Sequence, residues 1–273
     1  MYPQYTDDLE TGCETPAVIH QHFSRIARKY RNLRITDTEP IALIAEEMGK
    51  LAHVEAIDIG CGTGRYDLLL SRYLGDKLHL TCCDANAEML KSLDKYLKKH
   101  GVSNFTSMRS QAENIPVPSG SLDCIFTFNA IHHFSLPEFL QESARILKSQ
   151  GYLFIYTRLL EQNKNTIWGQ CFPRYTQKET RLYSLKTLTK TTVSVPKLWI
   201  KSIEFFKYRR IATLEQLIER ARACHYSTFC LYSPEELEES LAGFTQKLEK
   251  EFDDTQRIRW SDENVLLVIQ KEY

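Results

Sequence analysis

The sequence has no excess of charge, no long apolar run and no paired-cysteine motif, and each absence closes off a class of function. Lys and Arg together number 35, and so do Asp and Glu. A chain without net charge has no bulk electrostatic hold on nucleic acid, so any such contact must come from a local patch. No apolar stretch approaches the ~20 residues that span a bilayer, so no membrane partner is expected. The opening MYPQYTDDLETG carries acids where an export leader carries bases, and no apolar stretch follows it. A cytoplasmic location is the expectation. The eight cysteines, at 13, 61, 82, 83, 124, 171, 224 and 230, form no CxxC and no Cys/His set at zinc spacing. Most sit in apolar, strand-like runs, as reduced structural thiols do, and no metal site is expected.

What is present is an ordinary globular composition, 42% apolar and 26% charged over 273 residues, enough to bury a sizeable core without staples. Residues 1–15 read as loose and polar. From 17 to 34, Ile19, Phe23, Ile26, Ala27 and Tyr30 recur at helical spacing, and a second helix is expected near 39–50. Strands then alternate with helices: strands at 53–60, 78–84, 104–110, 121–129 and 151–157, helices at 65–74, 86–99 and 137–147. Such alternation implies right-handed crossovers and a parallel sheet covered on both faces. Residues 158–192 show no clean period. A strand is expected at 199–210, helices at 213–223 and 234–252, and a final strand at 263–271.

The stretch AIDIGCGTGRYDLLL, residues 56–70, places a glycine turn between a strand and a helix. Such a turn lets backbone N–H groups approach a ligand closely. A dinucleotide fingerprint would need its third glycine at Arg65, and a phosphate loop would need Gly-Lys-Ser/Thr; neither is here. The glycines fall instead at Gly60, Gly62 and Gly64, preceded by Asp58. Twenty residues past Gly64, the strand LHLTCCD ends in Asp84, an acid placed to accept ribose hydroxyls.

These residues resemble the cofactor site of class I S-adenosylmethionine-dependent methyltransferases, in their small-molecule branch of ubiquinone/menaquinone-biosynthesis and trans-aconitate-methyltransferase type. Ala85-Asn86-Ala87-Glu88-Met89-Leu90 resembles the segment after the ribose acid, where a methionine lies beside the adenine. Ser110–Pro116, SQAENIP, resembles the A-E-x-L-P segment that meets the adenine. SLDCIFTFNAIHHF, residues 121–134, resembles the family's fourth strand and following turn. The resemblance covers roughly residues 54–157. It implies an α/β, Rossmann-like fold: a seven-stranded, mostly parallel sheet with an antiparallel last strand, helices on both faces and a helical cap. It also implies a division into an N-terminal helical lid (1–50), a cofactor-binding core (51–157) and a segment of cap elements with the last two strands (158–273). Asp58, Gly60, Cys61, Gly62, Gly64, Asp84, Ala85, Met89, Ala112, Glu113 and Asn129 become the candidate residues for S-adenosylmethionine. Asn86 itself reads as a helix N-cap.

Methyl transfer asks a protein to align an acceptor, exclude water and, for some acceptors, remove a proton. His133 and His132 stand at the carboxyl end of the fourth strand as candidate bases. Phe23–Arg31 resembles the family's lead-in helix, which closes over the cofactor. It makes Tyr30 a candidate to face the sulfonium, although Arg31 replaces the family's usual acid. For the acceptor, Arg158, Trp168 and Tyr175 follow the fifth strand. Tyr226 and Ser227 lie in RARACHYSTF, similar to the cap of trans-aconitate-type enzymes. The expected acceptor is a small molecule, and the expected assembly a monomer or homodimer. RNA modification is the alternative, supported only by the basic runs at 25–34 and 207–210, which read as solvated faces. A third reading is cofactor binding without methyl transfer.

Overall fold

The computed structural model describes residues 16–27 and 29–273. The expectations for residues 1–15, Cys13 among them, and for the side chain of Ile19 lie outside the described residues. The chain opens with helices α1 (Pro16–Ile26), α2 (Tyr30–Leu33) and α3 (Glu39–Met48). One helix was expected over 17–34, and it is interrupted between Ile26 and Tyr30. The core follows as β1 (Val54–Ile59), α4 (Arg65–Leu74), β2 (Leu78–Cys83), α5 (Ala87–Lys99), β3 (Phe105–Met108), β4 (Leu122–Phe128), α6 (Leu136–Ile146) and β5 (Leu147–Thr157). Residues 158–192 are not irregular throughout. They hold three one-turn helices, α7 (Leu160–Asn163), α8 (Ile167–Cys171) and α9 (Tyr175–Lys178), and most of α10 (Leu185–Ser194). Helices this short leave no period to read. The chain closes with β6 (Leu198–Ala212), α11 (Leu214–Arg222), α12 (Pro234–Glu251) and β7 (Ile258–Lys271).

Among the described residues, seven strands form one sheet in the order β3-β2-β1-β4-β5-β7-β6. β7 runs antiparallel to both its neighbours, and the other paired strands are parallel. The order reverses between β1 and β4, so the loops leaving these two strands diverge and open a crevice at their carboxyl ends. Alternate residues of each strand feed separate cores. Phe126, Phe154 and Leu266 pack under α3, α4 and α5, whereas Ile57, Ile125, Ile155 and Leu267 pack against α6 and α10. A third cluster, built on Trp168, Phe172, Phe229 and Phe244, joins the short helices to α11 and α12. The cap therefore has its own apolar centre and sits over the sheet as a formed unit.

β6 and β7 are longer than the sheet they belong to. β5 stops at Thr157, opposite Val265, but β6 and β7 stay paired out to Ala212 and Ile258. This two-stranded ribbon overhangs the carboxyl edge, with Arg210 opposite Trp260 and Tyr208 opposite Asp262. The final strand was expected to start only at 263. Residues 258–262 carry charge and apolar bulk together, which hides the alternation that marks a strand.

The glycine turn is set by sterics. Gly60 has φ +76°, and a Cβ there would lie 2.5 Å from Ala130 Cβ and 3.0 Å from Phe134 Cζ. Gly60→Ala combines left-handed strain of about 1–2 kcal/mol with overpacking of about 1–3 kcal/mol. It is expected to lower the melting temperature by several degrees. Gly62→Ala, where the nearest atom is Tyr30 Cε1 at 3.9 Å, is expected to lower it less. Equal melting points for the two variants would rule out the steric account.

Candidate active site

The crevice is a cavity of about 800 Å³ that runs from the glycine turn to the cap. Its core wall is made by Asp58, Gly60, Cys61, Gly62, Asp84, Ala85, Met89, Ala112, Glu113 and Asn129. Ten of the eleven residues expected at the cofactor thus line one space. Gly64 does not. It caps α4 with φ +83°, and a Cβ there would press on Leu93 Cγ at 3.0 Å, so its glycine serves the packing of α4 on α5.

Asp84 is held at both oxygens: Oδ2 accepts from the Gly62 N–H (2.9 Å) and Oδ1 from the Asn86 N–H (2.8 Å). Asn86 in turn caps α5, accepting from the Glu88 and Met89 N–H groups at 3.0 and 3.2 Å. Glu113 accepts from the Ser135 N–H (2.8 Å) at the start of α6. Asp58 is buried, and its Oδ1 has no hydrogen-bond partner among the described residues. Burial, then the neighbouring Asp67 and Asp84, push its carboxyl well above the usual range. An acid beneath a glycine turn with one oxygen unpartnered, and a second acid at the end of the next strand, suit a ligand that brings an ammonium and a ribose. S-adenosylmethionine has both, and it would supply a methyl group on a good sulfonium leaving group.

The N-terminal helices close this end. Arg31 Nη1 donates to the Thr63 carbonyl (2.9 Å) and to Ser92, and its guanidinium lies 4.1 Å from the Tyr96 ring. Arg65 Nη1 donates to the Ile35 carbonyl and Thr36 Oγ1, both at 2.9 Å. Tyr30 lines the cavity beside Gly62. The arginine in place of the usual acid therefore ties the lid to the glycine turn. It also corrects in part the reading of 25–34 as a solvated face: Arg31 and Arg34 turn inward, while Arg25 and Lys29 stay exposed. In the run 207–210, Arg210 pairs inward with Asp37 and Asp262, whereas Lys207 and Arg209 stay exposed as expected.

His132 and His133 line the cavity with ring centroids 4.1 Å apart, and His133 meets Phe23 edge-on. Burial, with Arg181 and Arg34 nearby, lowers His132 to about 3. His133 lies well below its ordinary value through burial and His132. Both imidazoles are neutral near pH 7, and rings of such low basicity take protons poorly there.

The cap wall brings in Arg158, Trp168, Tyr175, Tyr226 and Ser227, all of them anticipated. Trp168 and Tyr175 are 3% and 2% exposed and belong mainly to the cap core, Trp168 stacking on Phe244 at 5.1 Å. Sequence reasoning missed a second polar layer made by Arg34, Asp37, Glu179, Arg181, Arg210, Asp262 and Asn264. Asp37 organises part of it. Its Oδ2 accepts from Tyr156 Oη (2.7 Å) and its Oδ1 from Arg210 Nη2 (2.6 Å). The only hint in sequence was a set of charged residues alternating along β6 and β7.

Comparison with known proteins agrees with this geometry. Residues 57–155 match the family model described as a methyltransferase domain. A methyltransferase-like protein of Dictyostelium discoideum is 31% identical over 143 residues, 52% of this chain and 51% of its own length. A tRNA (carboxymethyluridine(34)-5-O)-methyltransferase of Mus musculus is 29% identical over 149 residues, 53% of this chain but 20% of its own. The ubiquinone/menaquinone biosynthesis C-methyltransferase of Proteus mirabilis is 30% identical over 112 residues, 40% of this chain and 45% of its own. The matched segment thus spans about half or less of each relative. Among solved structures, the YcgJ protein from Bacillus subtilis superposes with a TM-score of 0.62 at 19% identity, covering 87% of this chain and all of that one. Motifs, sheet order and family match converge on residues 57–155, which form a methyltransferase domain of the class I S-adenosylmethionine-dependent type.

Proposed function

We propose that the chain methylates a small-molecule acceptor bound between the core and the cap. The observation that carries this reading is the single cavity, continuous from the glycine turn and Asp84 to Tyr226 and Ser227. Asp84 and Asp58 hold the donor, Tyr30 faces its sulfonium, and His132 and His133 line the passage toward the cap as neutral imidazoles. The weak basicity of these rings favours an acceptor whose nucleophilic atom carries no proton at neutral pH. Arg31 and Arg65 tie the lid down and keep water out, which in-line displacement requires. RNA is less favoured because Arg31, Arg34 and Arg210 are engaged inside the fold, which leaves Arg25, Lys29, Lys207 and Arg209 as the exposed bases of the two runs among the described residues.

Two measurements test the proposal. S-adenosylhomocysteine at about 100 times its Kd should stabilise the chain by about 2.7 kcal/mol, read as a rise in melting temperature. With labelled S-adenosylmethionine, label should enter a metabolite extract and not total RNA. Label confined to RNA would overturn the small-molecule reading, and stabilisation by NAD alone would overturn the donor assignment.

A further inference from the structure

We propose that the acceptor bears a carboxylate group and that Arg158 and Arg34 bind that group, an assignment that rests on the methyl-transfer reading above. Arg158 directly follows β5, and its side chain is only 11% exposed. Its Nε is buried without a hydrogen-bond partner among the described residues. Its ion-pair contact, Nη2 to Asp262 Oδ2, is 3.5 Å long. Asp262 is already engaged by Arg210 Nε at 3.4 Å and Trp260 Nε1 at 3.1 Å, so Arg158 shares that acid and has Tyr226 as a further polar neighbour.

Arg34 reaches the same place from the lid. It donates to the His225 carbonyl (3.1 Å) and, among the described residues, pairs with no carboxylate. Both guanidinium groups meet one ring: Arg34 lies 4.3 Å and Arg158 5.4 Å from the centroid of Tyr226. Two cations drawn from opposite walls to a single aromatic ring repel each other inside a cavity that water screens poorly. A neighbouring group repeats the pattern. Arg181 gives its other nitrogens to Glu179 and Ser227, but its Nη1 is buried and unpartnered among the described residues.

The arrangement resolves when an oxyanion enters. A guanidinium presents its N–H groups as a planar fork that matches a carboxylate, and the Tyr226 ring gives the ligand a flat apolar surface. Asp37, Glu179 and Asp262 line the same half of the cavity. They favour a singly charged carboxylate group over a phosphate, whose second charge would face these acids. The donor is itself a net cation, so acceptor and donor attract each other across the site.

The test uses the full chain with labelled S-adenosylmethionine and a metabolite extract split by anion exchange at neutral pH. Label is expected in the retained fraction, and blocking its carboxylates as amides beforehand is expected to remove that label. Arg158→Gln and Arg34→Gln should each lower kcat/KM roughly 10- to 100-fold, chiefly through KM. Their Kd for S-adenosylhomocysteine should stay near the wild-type value. Label in the unretained fraction, label that survives amidation but not phosphatase treatment, or variants that turn over like wild type would each overturn the carboxylate site. No label in any fraction, with S-adenosylhomocysteine still bound, would overturn the methyl-transfer reading and this assignment with it.

Discussion

Asp84→Ala is expected to weaken S-adenosylhomocysteine binding by roughly 100-fold, the largest loss of any single change at the donor end. The size follows from what the carboxylate does in the folded chain. It accepts from the Gly62 N–H across the glycine turn and from the Asn86 N–H at the start of α5. It also borders the cavity at the carboxyl end of β2. Hydrogen bonds to a charged acceptor are worth about 1.5–3 kcal/mol each, so losing the ribose contact and the ordered turn together costs about 3 kcal/mol of binding. Asp84→Asn keeps one carbonyl acceptor and should fall between alanine and wild type. Calorimetric titration reads the affinity, and a thermal melt of the unliganded variant separates loss of the turn from loss of the contact. An alanine variant that binds within twofold of wild type would place the ribose elsewhere.

The second large effect is on stability. Asp37→Ala is expected to cost about 3 kcal/mol in equilibrium denaturation and to lower the melting temperature by roughly 6–12 °C. Asp37 lies in the link between α2 and α3 and is 6% exposed. It bonds Tyr156 on β5 and Arg210 on β6, and Asn264 on β7 approaches it at 3.4 Å. Removing it strands a largely buried guanidinium and a buried phenol at once. Arg210 keeps Asp262 at 3.4 Å, which holds the loss at the low end of the range for a broken buried pair. Asp37→Asn restores an acceptor for Tyr156 but no charge for Arg210, and should recover part of the difference. A loss below about 1 kcal/mol would mean that water already reaches the network.

The glycine-turn wall of the cavity was legible because its residues are nearly contiguous. Asp58, the glycines, Asp84 and Asn86 fall within thirty residues and keep the spacing imposed by one strand-turn-helix-strand unit. The sheet was legible too, since short apolar runs alternated with amphipathic helices. The proposed acceptor end was legible only in part: Arg158, Trp168, Tyr175, Tyr226 and Ser227 were expected there, but its charged layer was not. Arg34, Arg181, Arg210 and Asp262 come from the lid, the post-β5 segment, β6 and β7, and in sequence each is an ordinary charged residue. Only the closure of the lid and the ribbon onto one space gives them a common role. The basic run at 25–34 misled for the same reason, because helical spacing does not report that two of its arginines face inward.

The β6–β7 ribbon adds a property that no single side chain carries. Side chains along it alternate with a period of two, and Arg210, Trp260, Asp262 and Asn264 share the inward face. Lengthening both strands by two residues beyond Asn264 would carry α11 and α12 outward by about 6.6 Å while keeping every inward residue inward. Lengthening them by one would turn Asp262 and Trp260 away from the cavity. The ribbon is thus a ruler graduated in pairs. On the proposed reading, ribbon length would set the reach between donor and acceptor at the cost of drawing Arg210 away from Asp37, and a series of such variants assayed against acceptors of increasing length would read the scale.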